Sequence, residues 1–206
     1  MKQQDSNEIV KTLQKAGAGL PTYKRIAAKY VIFPLLNRSI SWEKAWDIYD
    51  KEGEKIIAMA STLSKEQLFQ RVLVPRLFGL EDNSRYYSVA MVIEHLLIVG
   101  NALTIRIPIL SQGKTLPNHI KIEDVKPYTE IDEDIVEKFA DFMSTYREKL
   151  DASVKNIHID NTSDHPWFGA FNPKQWSILG MVHQTVHRRQ IEAIIKNIDT
   201  QKASSF

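Results

Sequence analysis

The chain has 206 residues and a mass of 23.7 kDa, which is enough for one domain with a sizeable hydrophobic core. Apolar residues make up 43% and charged residues 25%, ordinary globular values that argue against a disordered, fibrous or membrane-spanning chain. The 27 basic and 25 acidic residues give a net charge of +2, so no charge excess favours nucleic acid as a partner.

The first forty residues are interpreted as an N-terminal extension. Gly17 and Gly19 loosen the chain at its start. Pro21 can open a helix that runs to about Phe33, and Pro34 is expected to end or bend that helix. No apolar stretch here resembles a secretory signal or is long enough to span a membrane. We therefore expect a cytoplasmic protein with no membrane partner.

Two helices are predicted next, each with a serine at its start. Ser41 can cap a helix whose apolar positions recur at helical spacing as far as Leu63. Ser64, with Gln67 at the distance of a capping box, predicts a short helix that ends near Val74.

A strongly apolar helix is predicted to follow Ser88 and to reach about Leu110, with a bend or end near Pro108. Few charges accompany its apolar stripe, as expected of a helix inside a bundle. His95 lies on or beside the inward face. The polar segment 112–128 is interpreted as a long loop.

Two further helices complete the prediction. Residues 132–154 are acidic at the start and basic near the end, which suits the helix dipole. Asn172, Pro173 and Gln175 form a helix-start signature, and this helix is predicted to reach about Ile198. No segment alternates with period two for long enough to indicate a sheet.

These elements predict an all-α fold, a four-helix bundle with loops of uneven length. The bundle is expected to occupy residues 41–199. An N-terminal extension at 1–40 precedes it and a C-terminal tail at 200–206 follows it.

Three histidines are the candidate metal ligands. His183 and His187 lie four positions apart, so they differ by about 40° around a helix and leave the same face. His95 lies in the middle of the other apolar helix, and a bundle can bring such side chains to one point. The sequence contains no cysteine, so thiolate sites are excluded. Three imidazoles and a water would form an open site of the type found in catalytic zinc centres, compatible also with nickel or iron.

The same pattern has a purely structural interpretation. Two core helices can carry histidines that are satisfied by carbonyl or carboxylate groups and bind no metal. His119, His158 and His165 fall in predicted loops and are expected to be exposed, with His165 able to approach the mouth of the bundle. Arg188 and Arg189 are interpreted as a solvated helix end, with attraction of an anionic substrate as the alternative.

Three other functions are disfavoured by missing residues. Gln184 stands where the zinc-protease pattern requires its glutamate. The segment 113–115 resembles the end of a phosphate-binding loop, but Pro108 occupies its first glycine position. The segment 17–19 lacks the third glycine of a dinucleotide fingerprint and a strand before it.

A set of positions around the three histidines forms a known family pattern. The positions are Tyr87–Ala90, His95, the HPWFG segment at 165–169, Gln175–Trp176, His183 and His187. In order and spacing they resemble the DinB/YfiT-like superfamily of metalloenzymes, over about residues 41–199.

The resemblance implies an up-down-down-up bundle with a divalent metal, zinc or nickel most often, on His95, His183 and His187. Relatives include transferases and isomerases that use low-molecular-weight thiols, and many form homodimers. The resemblance therefore implies a small-molecule substrate, a small thiol as co-substrate and a homodimer.

Two functions follow from this reasoning. The first is a metal-dependent transferase or hydrolase in which the metal activates water or a thiol. No general base is identified, because Glu94 points about 100° away from His95 around the helix and Gln184 cannot take a proton. The second is a non-catalytic stress-response or interaction bundle, with a structural metal or none.

Overall fold

The computed structural model describes residues 6–116, 121–128 and 130–203, and this part of the chain is mostly helical. The helices are α1 (Ser6–Thr12), α2 (Thr22–Ala27), α3 (Phe33–Ser39), α4 (Trp42–Ala60), α5 (Lys65–Phe69), α6 (Val89–Ser111), α7 (Ile135–Ser153) and α8 (Pro173–Ala203). The strands are β1 (Val72–Leu73), β2 (Tyr86–Tyr87), β3 (Ser163–His165) and β4 (Gly169–Phe171).

The four long helices α4, α6, α7 and α8 pack around a common core. Helix α4 contacts α7 and α8, and α6 contacts the same two helices. The largest side chains enclosed between them are Trp46, Trp176, Tyr146 and Phe139. The prediction of a helical fold is confirmed.

Side-chain caps set the starts of three long helices, as predicted for α4 and α8; the cap of α6 was not predicted, although the start of that helix was. The Ser41 hydroxyl accepts from the Lys44 amide at 3.1 Å at the start of α4. Ser88 does the same at the start of α6. At the start of α8, Asn172 and Gln175 exchange two hydrogen bonds of 2.9 Å. Each cap satisfies an amide that the first helical turn leaves unpaired.

Helix α5 is shorter than predicted, because the chain becomes extended at Gln70 and forms β1 instead of continuing to Val74. Two antiparallel pairs, β1 with β2 and β3 with β4, also correct the expectation of no strands. Strands of two or three residues are too short for a period of two to be visible in a sequence.

The N-terminal segment continues as a helix beyond the predicted stop at Pro34. A π-helical turn at Ala28–Ile32 joins α2 to α3, which ends at Ser39. Of the two effects expected of Pro34, to end or to bend the helix, the first does not occur, because Pro34 lies in the first turn of α3, a position that tolerates proline. Buried Phe33 packs against the rings of Phe168 and Phe171 at 5.0 and 5.1 Å, so this segment contacts the β3–β4 hairpin.

Helix α6 runs without interruption through Pro108 to Ser111. Among the described residues it is the one helix that is long and apolar enough to cross a membrane by length and composition. The core helix of a soluble bundle meets the same criterion, and α6 packs on both α7 and α8. Helix α8 extends to Ala203, past the predicted end near Ile198.

Candidate metal centre

Three histidine side chains from α6 and α8 meet at one point. Nε2 of His95 lies 2.9 Å from Nε2 of His183. One ligand nitrogen from each of His95, His183 and His187 lies within 4.8 Å of the other two. Zinc–nitrogen bonds of about 2.0–2.1 Å in a tetrahedral site put ligand nitrogens about 3.3 Å apart. The cluster is therefore compact enough for its three nitrogens to share one ion after small side-chain movements.

Two of the rings are oriented by hydrogen bonds on their other nitrogen. His95 donates from Nδ1 to the carbonyl oxygen of Val125 at 2.5 Å. His187 donates from Nδ1 to the Oε1 atom of Gln190 at 2.7 Å, and Gln190 donates in turn to the carbonyl of Ser84 at 2.7 Å. Both bonds place the proton on Nδ1 and leave Nε2 unprotonated; in His95 this atom accepts from Nε2–H of His183 and could instead bind an ion. Histidines that bind metals are held by partners of this kind.

The electrostatic setting keeps all three rings neutral. Burial lowers the pKa of His95 to about 4. Burial, together with the neighbouring imidazoles, also lowers the pKa of His183 and of His187 well below the usual value. A neutral imidazole is the form that binds metals, so the donor set fits a divalent ion that accepts nitrogen ligands.

The histidines form one wall of a cavity of about 120 Å³, which is room for several water molecules. Helices α6 and α8 supply its apolar side walls. Three segments that connect the long helices complete the lining, namely residues 79–84, residues 122–126 and the β3–β4 hairpin with its turn, and the first two include residues of short 3-10 helices. The lining from these segments includes Gly79, Leu80, Glu81, Ser84, Ile122, Val125, Lys126, His165 and Trp167. A small molecule that enters the cavity would therefore contact the histidines directly.

His165 is not exposed as first expected, but it does approach the bundle, which was the alternative. The β3–β4 hairpin folds it against the bundle, where it lines the cavity and stacks on Phe168 with ring centroids 4.7 Å apart. Its Nδ1 accepts from the backbone N–H of Trp167 at 3.1 Å. Burial and the charge of Arg106 lower its pKa to about 4. His158 is exposed as predicted, and His119 lies outside the described residues.

The structure also shows where the remaining residues singled out in the sequence lie. Arg188 and Arg189 lie in the middle of α8, which corrects the prediction of a helix end: Arg188 is mostly buried in ion pairs with Glu52 and Glu192, and only Arg189 is exposed. Glu94 and Gln184 are not part of the cavity lining. Residues at the site that the sequence reasoning missed are Gln190, Val125 and Arg106. Of these, Gln190 had a usable signal, because it lies three positions after His187 on the same helix.

Glycine at position 180 makes room between α6 and α8. A Cβ atom there would lie 2.9 Å from Cδ1 of Leu103, so any larger residue would push into the cavity wall. The close approach of Leu103 therefore requires a residue without a side chain at this position.

Comparison with known proteins gives one structural likeness. No family model matches the sequence, and no curated protein matches it. Among solved structures, the crystal structure of TT2238, a four-helix bundle protein, is similar at 18% sequence identity and a TM-score of 0.48. The match covers 74% of this chain and 99% of that chain. A likeness at this level carries no conclusion about function.

Proposed function

We propose that the protein is a metal-dependent enzyme of the DinB-like type, in which His95, His183 and His187 hold a divalent ion, zinc or nickel. Its reaction would be transfer of a small thiol to a small molecule, or hydrolysis of that molecule. The observation that carries the proposal is the meeting of three neutral imidazoles at the wall of a cavity.

The residues of the chain would share the work as follows. The three histidines bind the ion, and the Val125 carbonyl and Gln190 keep two of them turned towards it. A bound divalent ion supplies Lewis acidity, which lowers the pKa of a water or thiol and provides a nucleophile at neutral pH. Apolar walls from α6 and α8 limit the access of bulk water to the reacting groups.

We also propose the up-down-down-up helix order that the family resemblance implies. Contacts between α4 and α8, and between α6 and α7, follow the order of parallel neighbours. Contacts between α4 and α7, and between α6 and α8, follow the order of antiparallel neighbours. The pairs are, in that order, Tyr49–Gly180 and Glu52–Arg188; Gly100–Phe142 and Gln112–Ser153; Trp46–Tyr146 and Gly53–Met143; His95–His187 and Arg106–Trp176. Parallel and antiparallel neighbours in this arrangement support the proposal.

Metal analysis of purified protein tests the ligand set. We expect about one ion per chain in the wild type and almost none in the double variant His95→Ala, His183→Ala, because a single remaining imidazole binds divalent ions weakly. His158→Ala removes an exposed histidine and is the matched control, expected to keep its metal. Equal metal content in the double variant and the wild type would refute the site.

A non-catalytic bundle is the competing function. Structural zinc sites are closed by four protein ligands, whereas three histidines beside a cavity leave a coordination position open, which favours an enzyme. A screen of thiols and small metabolites separates the two. Turnover that stops on chelation and returns with added metal supports the enzyme. A rise in melting temperature with metal, without turnover of any compound, supports the non-catalytic bundle. The homodimer and the cytoplasmic location stay predictions.

A further inference from the structure

Arg106 is the most unusual charged residue of the bundle, because it is buried without an acidic partner. Its residue surface is 8% exposed. The guanidinium lies 4.9 Å from the ring centroid of Trp176, and its Nη1 donates to the Ser163 hydroxyl at 2.6 Å. Its Nε is buried and has no hydrogen-bond partner within the described part of the chain. None of the ion pairs among those residues includes Arg106.

A buried guanidinium without a counter-ion is energetically costly, since its charge is removed from water and not compensated. Burial lowers the pKa of Arg106, but an arginine in a protein stays protonated. The other charged residues of the cavity lining compensate one another, because Lys126 pairs with Glu81. His165 is neutral at pH 7. Among the described side chains that line the cavity, Arg106 is therefore the one charged group without a counter-charge.

The charge lies on the same helix face as the first histidine of the centre. His95 and Arg106 are eleven residues apart on α6, which is about three turns and about 16 Å along the axis. Both line the cavity, with Val99 and Leu103 between them. Long side chains on a helix lean towards its N-terminus, so the Arg106 head is carried towards the His95 end.

We propose that Arg106 binds the carboxylate of the substrate, whose other end reaches the three-histidine centre through the apolar middle of the cavity. This inference rests on the proposed function and adds the substrate class. A carboxylate has one charge and two coplanar oxygens, which match the single charge and the planar edge of the guanidinium. Nη1 is engaged by Ser163 and Nε is buried without a partner, so the edge formed by Nε and Nη2 keeps its donors for the two oxygens of a carboxylate once a small side-chain rotation turns it towards the cavity.

Calorimetric titration of the zinc-loaded protein with two matched probes tests the proposal. Mercaptohexanoate and mercaptohexanol share a thiol and an alkyl chain and differ in the carboxylate. We expect the acid to bind about 10- to 100-fold more tightly than the alcohol, as charged hydrogen bonds in a buried site allow. Equal affinity for the two probes would overturn the proposal. Tighter binding of the corresponding phosphonate than of the acid would overturn the choice of carboxylate.

Variants assign the preference to one residue. Arg106→Gln is expected to abolish the preference for the acid while leaving the affinity for the alcohol unchanged, which also shows that the variant is folded. Arg106→Lys keeps the positive charge but loses the pair of nitrogens that can donate to both carboxylate oxygens, so we expect part of the preference for the acid to remain. This variant replaces Arg106→Gln in the test if the glutamine variant does not fold. Arg189→Gln removes an exposed arginine and should keep the full preference. A preference that survives in Arg106→Gln would refute the role of Arg106.

The same titration after metal removal separates the two proposals. If the metal site is real, both thiol probes lose affinity in the metal-free protein, while plain hexanoate still binds in a manner that depends on Arg106. A carboxylate preference with no effect of the metal would contradict the proposed function and leave Arg106 as an anion site. If metal removal lowers the affinity of both thiols but the acid is not preferred, only the proposed role of Arg106 is contradicted, and the proposed metal site stands.

Discussion

Gln190 links the candidate ligands to the loop before α6. Its side-chain oxygen accepts from His187, and its amide donates to the backbone of Ser84, so the glutamine itself is held from two sides. It is fully buried. A ligand whose ring is fixed in advance loses less freedom when it binds an ion, which is why such partners affect metal affinity.

Replacing Gln190 by alanine should weaken metal binding without removing any ligand. We expect the zinc affinity to fall about 10- to 100-fold, the usual effect of losing the partner of a ligating histidine. Competition with a coloured chelator measures it.

Gln184→Met is the matched control for this experiment. Gln184 is another buried glutamine of α8, but its amide faces the Met143 sulfur at 3.9 Å and its oxygen has no partner among the described residues. We expect the zinc affinity of the Gln184→Met variant to equal that of the wild type. An equal loss of affinity in both variants would mean that packing, and not the bond to His187, is responsible.

Residue type and spacing were sufficient to select the three histidines, but not the residues around them. Imidazoles four apart on a helix are visible in one sequence, and a third on another apolar helix adds to the pattern. Arg106 carries no such signal, since an arginine in a sequence is most often solvated. Its burial depends on the β3–β4 hairpin and on Trp176, which lie far away in the chain.

At the level of whole helices, Gly100 allows α4, α6 and α7 to pack closely. A Cβ atom at this position would lie 2.6 Å from Cζ of Phe142 and 3.1 Å from the hydroxyl oxygen of Tyr49. Both neighbours are large rings in the core, so neither can move without disturbing other contacts. The glycine is therefore needed for packing, although glycine weakens a helix interior.

Gly100→Ala tests this close approach. The substitution improves helix propensity by about 1 kcal/mol, but overpacking a core costs about 1–3 kcal/mol. We expect a net fall of about 1 kcal/mol in the free energy of unfolding, measured with urea. Asn101→Ala changes an exposed neighbour and should stay within about 0.5 kcal/mol of the wild type. A more stable Gly100→Ala protein would show that α7 has room to move away.

Helix starts were easier to predict than the segments between helices. The caps at Ser41, Ser88 and Asn172 depend on residues within four positions, so the sequence contains the whole interaction. The strand pairs depend on contacts between segments: β1 meets β2 across 12 intervening residues, 74–85, and neither has a pattern of its own. The same holds for the turn that brings Val125 to His95.

For the molecule as a whole, the buried histidines link folding to pH. His165 has a pKa of about 4 in the folded protein, against 6.5 as its ordinary value. Between these values the unfolded chain binds the extra proton, so stability rises with pH. The stability due to the neutral ring is fully present above about pH 6.5 and is lost as the pH falls towards 4.

Comparison of the wild type with His165→Asn measures this contribution. Asparagine keeps an oxygen that can accept from the Trp167 amide but does not titrate. Between about pH 7 and pH 4.5 we expect the wild type to lose about 2 kcal/mol more unfolding free energy than the variant. His158→Asn, at an exposed position, should follow the wild type. Parallel curves for the wild type and His165→Asn would show that the ring is not kept neutral by the fold.

The walls of the cavity come from two kinds of structure with different tolerance to change. The three histidines lie on α6 and α8, where any shift disturbs the shared core, whereas much of the remaining lining comes from three segments that connect the long helices. Connecting segments accept substitutions and insertions far more readily than packed helices do. Changes confined to these segments would therefore reshape the cavity while leaving the histidine cluster and its two helices intact, and a library of exchanged segments is a direct way to vary which small molecules the cavity accepts.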